Sequence, residues 1–196
     1  MTELHITGDA AADELLSTDP FALMVGMLLD QQVAMETAFE GPAKIRDRIS
    51  GPFDAAALAA YDPEALVEVF RRTPAVHRYP GSMAGRVQAL AGALVENWGG
   101  DASALWTEGE PDGKALLKRL EALPGFGKQK AAIFVALLGK QYGVTPEGWR
   151  AAAGHYGDEG SYRSVADIVD PASLTRVRET KRAAKAEAKA AKASKG

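Results

Sequence analysis

Three observations predict an all-α fold. Apolar residues recur at helical spacing along nearly the whole chain. Asp-Pro pairs stand at Asp19-Pro20, Asp62-Pro63 and Asp170-Pro171, each at the head of such a pattern. No stretch between turn signals alternates apolar and polar residues as a half-buried strand does. An aspartate ahead of a helix accepts from its free first-turn amides, and proline fits the first helical position, where an N–H would go unpaired anyway.

Behind Asp19-Pro20, the residues Phe21, Val25, Leu28 and Gln32 fall on one face, with Met24, Met27 and Leu29 beside them, which predicts a largely buried helix. Leu66 and Phe70 follow Asp62-Pro63 in the same way. Val87, Leu90, Ala91, Leu94 and Trp98 form a longer stripe closed by Gly99-Gly100, a fitting helix stop. Leu116, Leu117 and Leu120 mark another helix, and Ala131 to Leu138 a further one that is apolar all round. Asp170-Pro171 opens a last helical pattern, but beyond Val177 the chain is essentially Ala, Lys, Arg and Glu. Those residues favour helix without offering a face to bury, so a solvated helix or frayed coil that orders on a polyanion is expected.

A chain of 196 residues holds one domain, or two small subdomains sharing a core. The absence of cysteine excludes disulfides, thiolate zinc sites and cysteine-ligated iron–sulfur clusters. The three histidines, His5, His77 and His155, have no spacing suited to a metal site. No run approaches the roughly 20 apolar residues of a membrane span, and the acidic start MTELHITGDAAADE is unlike a secretory signal, so a cytoplasmic protein is expected. The net charge of −3 conceals a division. Residues 175–196 carry +6, and the remainder −9. An acidic body with a basic tail suits a polyanion only where the body also has a local positive patch.

The segment Leu120 to Ala131, LEALPGFGKQKA, separates two helical patterns. A helix cannot run through Pro124-Gly125, because proline lacks a donor and glycine takes backbone angles other residues avoid. Gly125 and Gly127 flank Phe126, which predicts a tight hairpin plugged by the phenyl ring. The second helix then starts near Gly127 with free amides facing outward, a ready anion site, and Lys128 and Lys130 add charge beside it.

This hairpin resembles that of the helix-hairpin-helix family, written Leu-Pro-Gly-apolar-Gly before a basic helix start. In that family it grips a DNA phosphate without reading bases, often with a monovalent cation on the hairpin carbonyls. The resemblance extends to the base-excision DNA glycosylases of the superfamily over roughly residues 19–145. Asp19-Pro20-Phe21 through Asp30-Gln31-Gln32 is similar to their early helix, and Gly85-Arg86-Val87 through Trp98-Gly99-Gly100 to the helix before their hairpin.

The resemblance implies a glycosylase-like fold of two small helical subdomains flanking a DNA-facing cleft. One would comprise 19–143, with the helix-hairpin-helix at about 114–138. The other would pair 1–18 with 144–174, leaving 175–196 as the basic tail. It implies double-stranded DNA as partner and nucleoid association when bound, while the missing cysteines leave no iron–sulfur cluster. The implied contacts are Gly125, Phe126, Gly127, Lys128, Gln129 and Lys130 at the hairpin, with Arg150 beyond it. Gln31 and Gln32 would stand at the extruded base, Gln32 best matching the residue that fills the gap.

Glycosidic cleavage needs a carboxylate near the sugar. In the family an aspartate about twenty residues past the hairpin supplies it, but here aligned positions hold Thr145 or Gly148. Glu147 is the one carboxylate of that loop. With Thr145 as N-cap and Pro146 next, it would sit in a helix's first turn, where the dipole favours any acid. Asp30 is the alternative. At the family's strand-cleaving lysine stands Gln129, and from either neighbouring lysine a rotation of about 100° separates the side chain from that direction. The expectation is therefore a monofunctional glycosylase on damaged or mispaired bases, or a non-catalytic binder of DNA structure or lesions. A protein-binding cleft is a third option. The loop His77-Arg78-Tyr79 is either a nucleic-acid contact or a connection, and Trp149 and Tyr156 line either the cleft or the core.

Overall fold

The computed structural model describes residues 2–195, which form helices and turns with no strand among them. Helices α1 (Ala10–Thr18), α2 (Pro20–Leu29) and α3 (Met35–Arg48) pack together. The short α4 (Ala55–Ala59) and α5 (Pro63–Arg71) pack on α6 (Pro80–Trp98). After α7 (Ala104–Thr107), helices α8 (Gly113–Glu121) and α9 (Lys128–Gln141) form the hairpin. The chain closes with α10 (Trp149–Ala153), two 3-10 turns at Gly154–Gly157 and Val165–Asp167, and α11 (Pro171–Ala193).

The start signals act as expected. The carboxylates of Asp19, Asp62 and Asp170 each accept from backbone amides of the helices they precede. The stop does too, with Gly99 in the left-handed region and the Gly100 amide returning to the Leu94 carbonyl. One continuous apolar core runs from Leu4 to Val177. The second helix is buried on every side, since all of Phe21–Leu29 is shielded from solvent.

Segments 1–18 and 144–174, expected to pair, find their main partners separately. Helix α1 packs on α2 and α3, whereas α10 and the 3-10 turns pack on α9. Between them stands the Tyr142 hydroxyl, which donates to the Leu16 carbonyl at 3.4 Å. The reason is visible at Trp149. Its indole lies on α9 where a Cβ on Gly139 would meet the ring at 2.3 Å, and its backbone lies where a Cβ on Gly113 would come within 2.5 Å. Two glycines thus let α10 sink between α8 and α9, and Trp149 belongs to the core.

Candidate functional site

The hairpin turns at Gly125, whose φ of +82° suits glycine and few other residues. Phe126 plugs it, 3% exposed and edge-on to Phe134 with ring centroids 5.7 Å apart. Helix α9 then begins behind Gly127, an exposed residue with extended backbone and no side-chain cap. A Cβ on Gly127 would meet nothing within 4 Å. The first-turn amides of α9 have no partner within the helix and no side-chain cap, and Gly127 in front of them is exposed. Lys128 beside them is exposed.

The next residues turn inward. Gln129 and Lys130 both line a cleft of about 710 Å³, whose walls include Met27, Asp30, Tyr156, Arg163 and, from α11, Lys181 and Lys185. That volume lies within the ordinary range of small-ligand sites. Lys130 thus enters the cleft from α9 as it stands, contrary to the expectation that a rotation separates it from that space. The cleft is wide enough to take consecutive residues of the helix. The Lys130 ammonium donates to the carbonyls of Met27, Leu28 and Asp30 at 2.8, 3.1 and 3.3 Å, closing the C-terminal end of α2. Burial pushes its pKa down to about 8, with Asp30 acting in the opposite direction.

Asp30 is the cleft's carboxylate. It caps α2, and its side chain is only 10% exposed. The Lys181 ammonium stands 3.8 Å from its Oδ2. Burial raises its pKa from the usual carboxylate value, while Lys181 and Lys130 draw it down. Outside the cleft lining, Glu36 of α3 pairs with Arg178 of α11.

Glu147 is elsewhere. The helix expected to begin at Thr145 begins at Trp149, because Gly148 takes φ +76° and breaks the path between them. The Glu147 carbonyl accepts from the Gly113 amide at 2.7 Å, pinning this loop to the start of α8. Its side chain is exposed on a separate hollow shared with Asp112 and Lys114. Arg150 is also outside the cleft. It stacks over Trp149, reaches the Gly157 carbonyl and pairs with Glu159.

Gln31 and Gln32 behave differently from each other. Gln31 donates to the Leu28 carbonyl, and its amide oxygen accepts from Arg86. Gln32 is exposed with φ +58°, one of two non-glycine residues in the left-handed region among the described residues. A bulky residue held there marks a surface the fold over-determines. The holder is His77, a residue the sequence left between two roles. It is 1% exposed, its Nε2 lies 3.1 and 2.9 Å from the Leu29 and Gln31 carbonyls, and its Nδ1 accepts from the Tyr79 amide. It shapes the Gln loop and leaves Tyr79 exposed beside Gln32 and Arg86.

Tyr156 lies in the cleft, its ring 4.2 Å from that of His155 and its hydroxyl accepting from the Gln129 amide at 2.9 Å. Sequence reasoning missed Lys181 and Lys185 as site residues, although the basic run that contains them was plain. Among the described residues no cluster of three His, Asp or Glu is arranged to hold a metal ion, and no helix is long and apolar enough to cross a membrane. No family model, curated protein or solved structure matches this chain.

Proposed function

We propose that this protein is a base-excision DNA repair protein of the helix-hairpin-helix type, a monofunctional N-glycosylase acting on damaged or mispaired bases in double-stranded DNA. The observation that carries it is one juxtaposition. A desolvated carboxylate, Asp30, lies in a cation-lined cleft whose wall is the first turn of the same helix that exposes its free amides at the hairpin.

In this reading the amides behind Gly127 hold a backbone phosphate with Lys128 adding charge, and the hairpin carbonyls would hold a monovalent cation that supplies further positive charge. Gln32 fills the gap left by the extruded nucleotide, which costs a few kcal/mol to unstack. Asp30 replaces Glu147 as the carboxylate. The C1′–N bond breaks, and the base leaves with the bonding electrons. The Asp30 carboxylate stabilises the cationic sugar and takes a proton from the water that adds to C1′, balancing the proton gained by the base. The Lys130 side-chain nitrogen is directed at three carbonyls of the α2 end rather than presented to the sugar, and in this reading the strand is left uncut.

The test is a panel of duplexes bearing deaminated, alkylated or oxidised bases, treated with alkali to cut at abasic sites. Wild-type protein releases at least one base, and Asp30→Asn lowers the rate by about 100-fold or more with duplex affinity retained. No abasic product from any duplex would remove the assignment. One observation favours a second reading: Asp30 is already engaged by Lys181. A non-catalytic binder of lesions or DNA structure would hold kinked or abasic duplexes tightly with no turnover.

A further inference from the structure

Helix α11 is the longest in the protein, and most of it touches little. Its last buried residue is Val177, and every described residue from Arg178 onward is exposed. No side chain beyond that point is more apolar than alanine. The cations on it are not scattered. At about 100° per residue, Arg178, Lys181, Arg182, Lys185, Lys189 and Lys192 all fall within about 100° of the helix circumference, and Glu179 and Glu187 lie outside that arc.

The stripe begins at the cleft. Arg178 pairs with Glu36, Lys181 faces Asp30, and Lys181 and Lys185 form part of the cleft wall. Further along, Lys189 and Lys192 have no acidic partner among the described residues. A single cationic ridge thus leaves the cleft and continues into solvent. From Lys181 to Lys192 it runs about 17 Å, the axial length of about five base pairs.

The composition selects the occupant. A helix that lies on a membrane carries Trp, Phe or Leu opposite its basic face, and a helix that docks in a protein groove carries apolar anchors three and four residues apart. Beyond Val177 the reverse side of α11 offers alanine, glutamate and Thr180, with no apolar anchor larger than alanine. What remains is a hydrophilic, repeating anion recognised by charge alone.

We infer that the basic face of α11 is a second DNA contact, an arm that lies along the phosphates of the strand whose nucleotide enters the cleft. This rests on the cleft being a DNA site, but it uses residues that the hairpin and Asp30 do not. The arm extends the positive charge of the hairpin and cleft past the acidic body, whose charges more than about 8 Å away are largely screened at physiological salt. Because the contact is to phosphate, it adds affinity without sequence preference.

The experiment is fluorescence anisotropy of an undamaged 20-base-pair duplex against the full chain, titrated across potassium chloride concentrations. The triple variant K185A/K189A/K192A flattens the slope of log affinity against log salt by about 2.7, from a change of about 0.9 per phosphate contact. A second variant, K185A/A183K/K189A/A190K, keeps the net charge and the helix-forming composition but moves two lysines off the stripe. It flattens the slope by about 1.8. A rearranged variant with the wild-type slope would overturn the one-sided arm, leaving a tail that acts by charge alone. A triple variant with the wild-type slope would overturn the arm while the hairpin reading stands, provided Gly127→Tyr still loses affinity. Wild-type protein that binds no duplex at low salt removes both readings together, and capture by anionic lipid vesicles in preference to duplex overturns the arm.

Discussion

A carboxylate assists glycosidic cleavage only where water is scarce and the sugar can reach it, and by that measure Asp30 and Glu147 part company. Asp30 is enclosed between α2, Lys130 and Lys181, whereas Glu147 stands in solvent on another hollow. Glu147→Gln is therefore expected to leave any base-release activity within about twofold of wild type, read in the same alkaline-cleavage assay in which Asp30→Asn slows release by about 100-fold or more. Lys130 carries a pH signature of its own. Its folded pKa of about 8 lies below the ordinary 10.5, so between those values the unfolded chain binds the extra proton and the folded state gains stability as pH rises. Urea unfolding of wild type and Lys130→Met should show their difference in stability moving in favour of wild type from pH 8 to pH 10. A constant difference would mean the buried amine titrates normally. Gln32 is the test of base extrusion. Gln32→Ala should slow release from duplex by about tenfold and leave release from single strands unchanged, because only a duplex has a gap to fill.

At the scale of elements, the hairpin's two glycines serve different ends, and stability measurements separate them. Gly125 holds a positive φ, and a Cβ there would press Leu28 Cδ1 at 2.8 Å. Gly125→Ala should cost about 1–3 kcal/mol in chemical denaturation. Gly127 has ordinary extended backbone and open space around it. Gly127→Tyr should change stability by no more than about 0.5 kcal/mol, yet weaken duplex binding by about tenfold or more, because the new side chain stands over the free amides. Equal losses of stability at both positions would make the hairpin an ordinary helix connection. The helix after it shows how one element serves several partners. Residues at the start of α9 line the cleft, its middle fills the core, and Lys140 and Gln141 at its end hold the segment 161–167.

Across the whole molecule, that last attachment matters because the segment behind it is short of regular structure. Asp167 is almost fully buried, pairs with Lys140 at 2.6 Å and accepts from the Arg163 amide and the Ser161 hydroxyl. Lys140→Met should destabilise the protein by about 3 kcal/mol in thermal or urea unfolding, since it strands a buried charge. It should also loosen the cleft wall at Arg163. Helices α2, α5, α6, α8, α9 and α11, the three Asp-Pro starts, the Gly99 stop and the Phe126 hairpin were legible in the sequence because each depends on local rules: apolar spacing, a capping oxygen, a backbone angle only glycine holds at ease. Asp30 was legible only as an alternative, and Tyr156 only as a residue of either cleft or core, because their meaning depends on what faces them from distant parts of the chain. The sequence by itself determined an all-helical chain with an open hairpin and a basic end. Which carboxylate shares a cleft with that hairpin, and which lysines of the tail close over it, was decided by tertiary packing. Burial and ion pairing join residues 30, 130 and 181, whose separations in the chain carry no periodic signal.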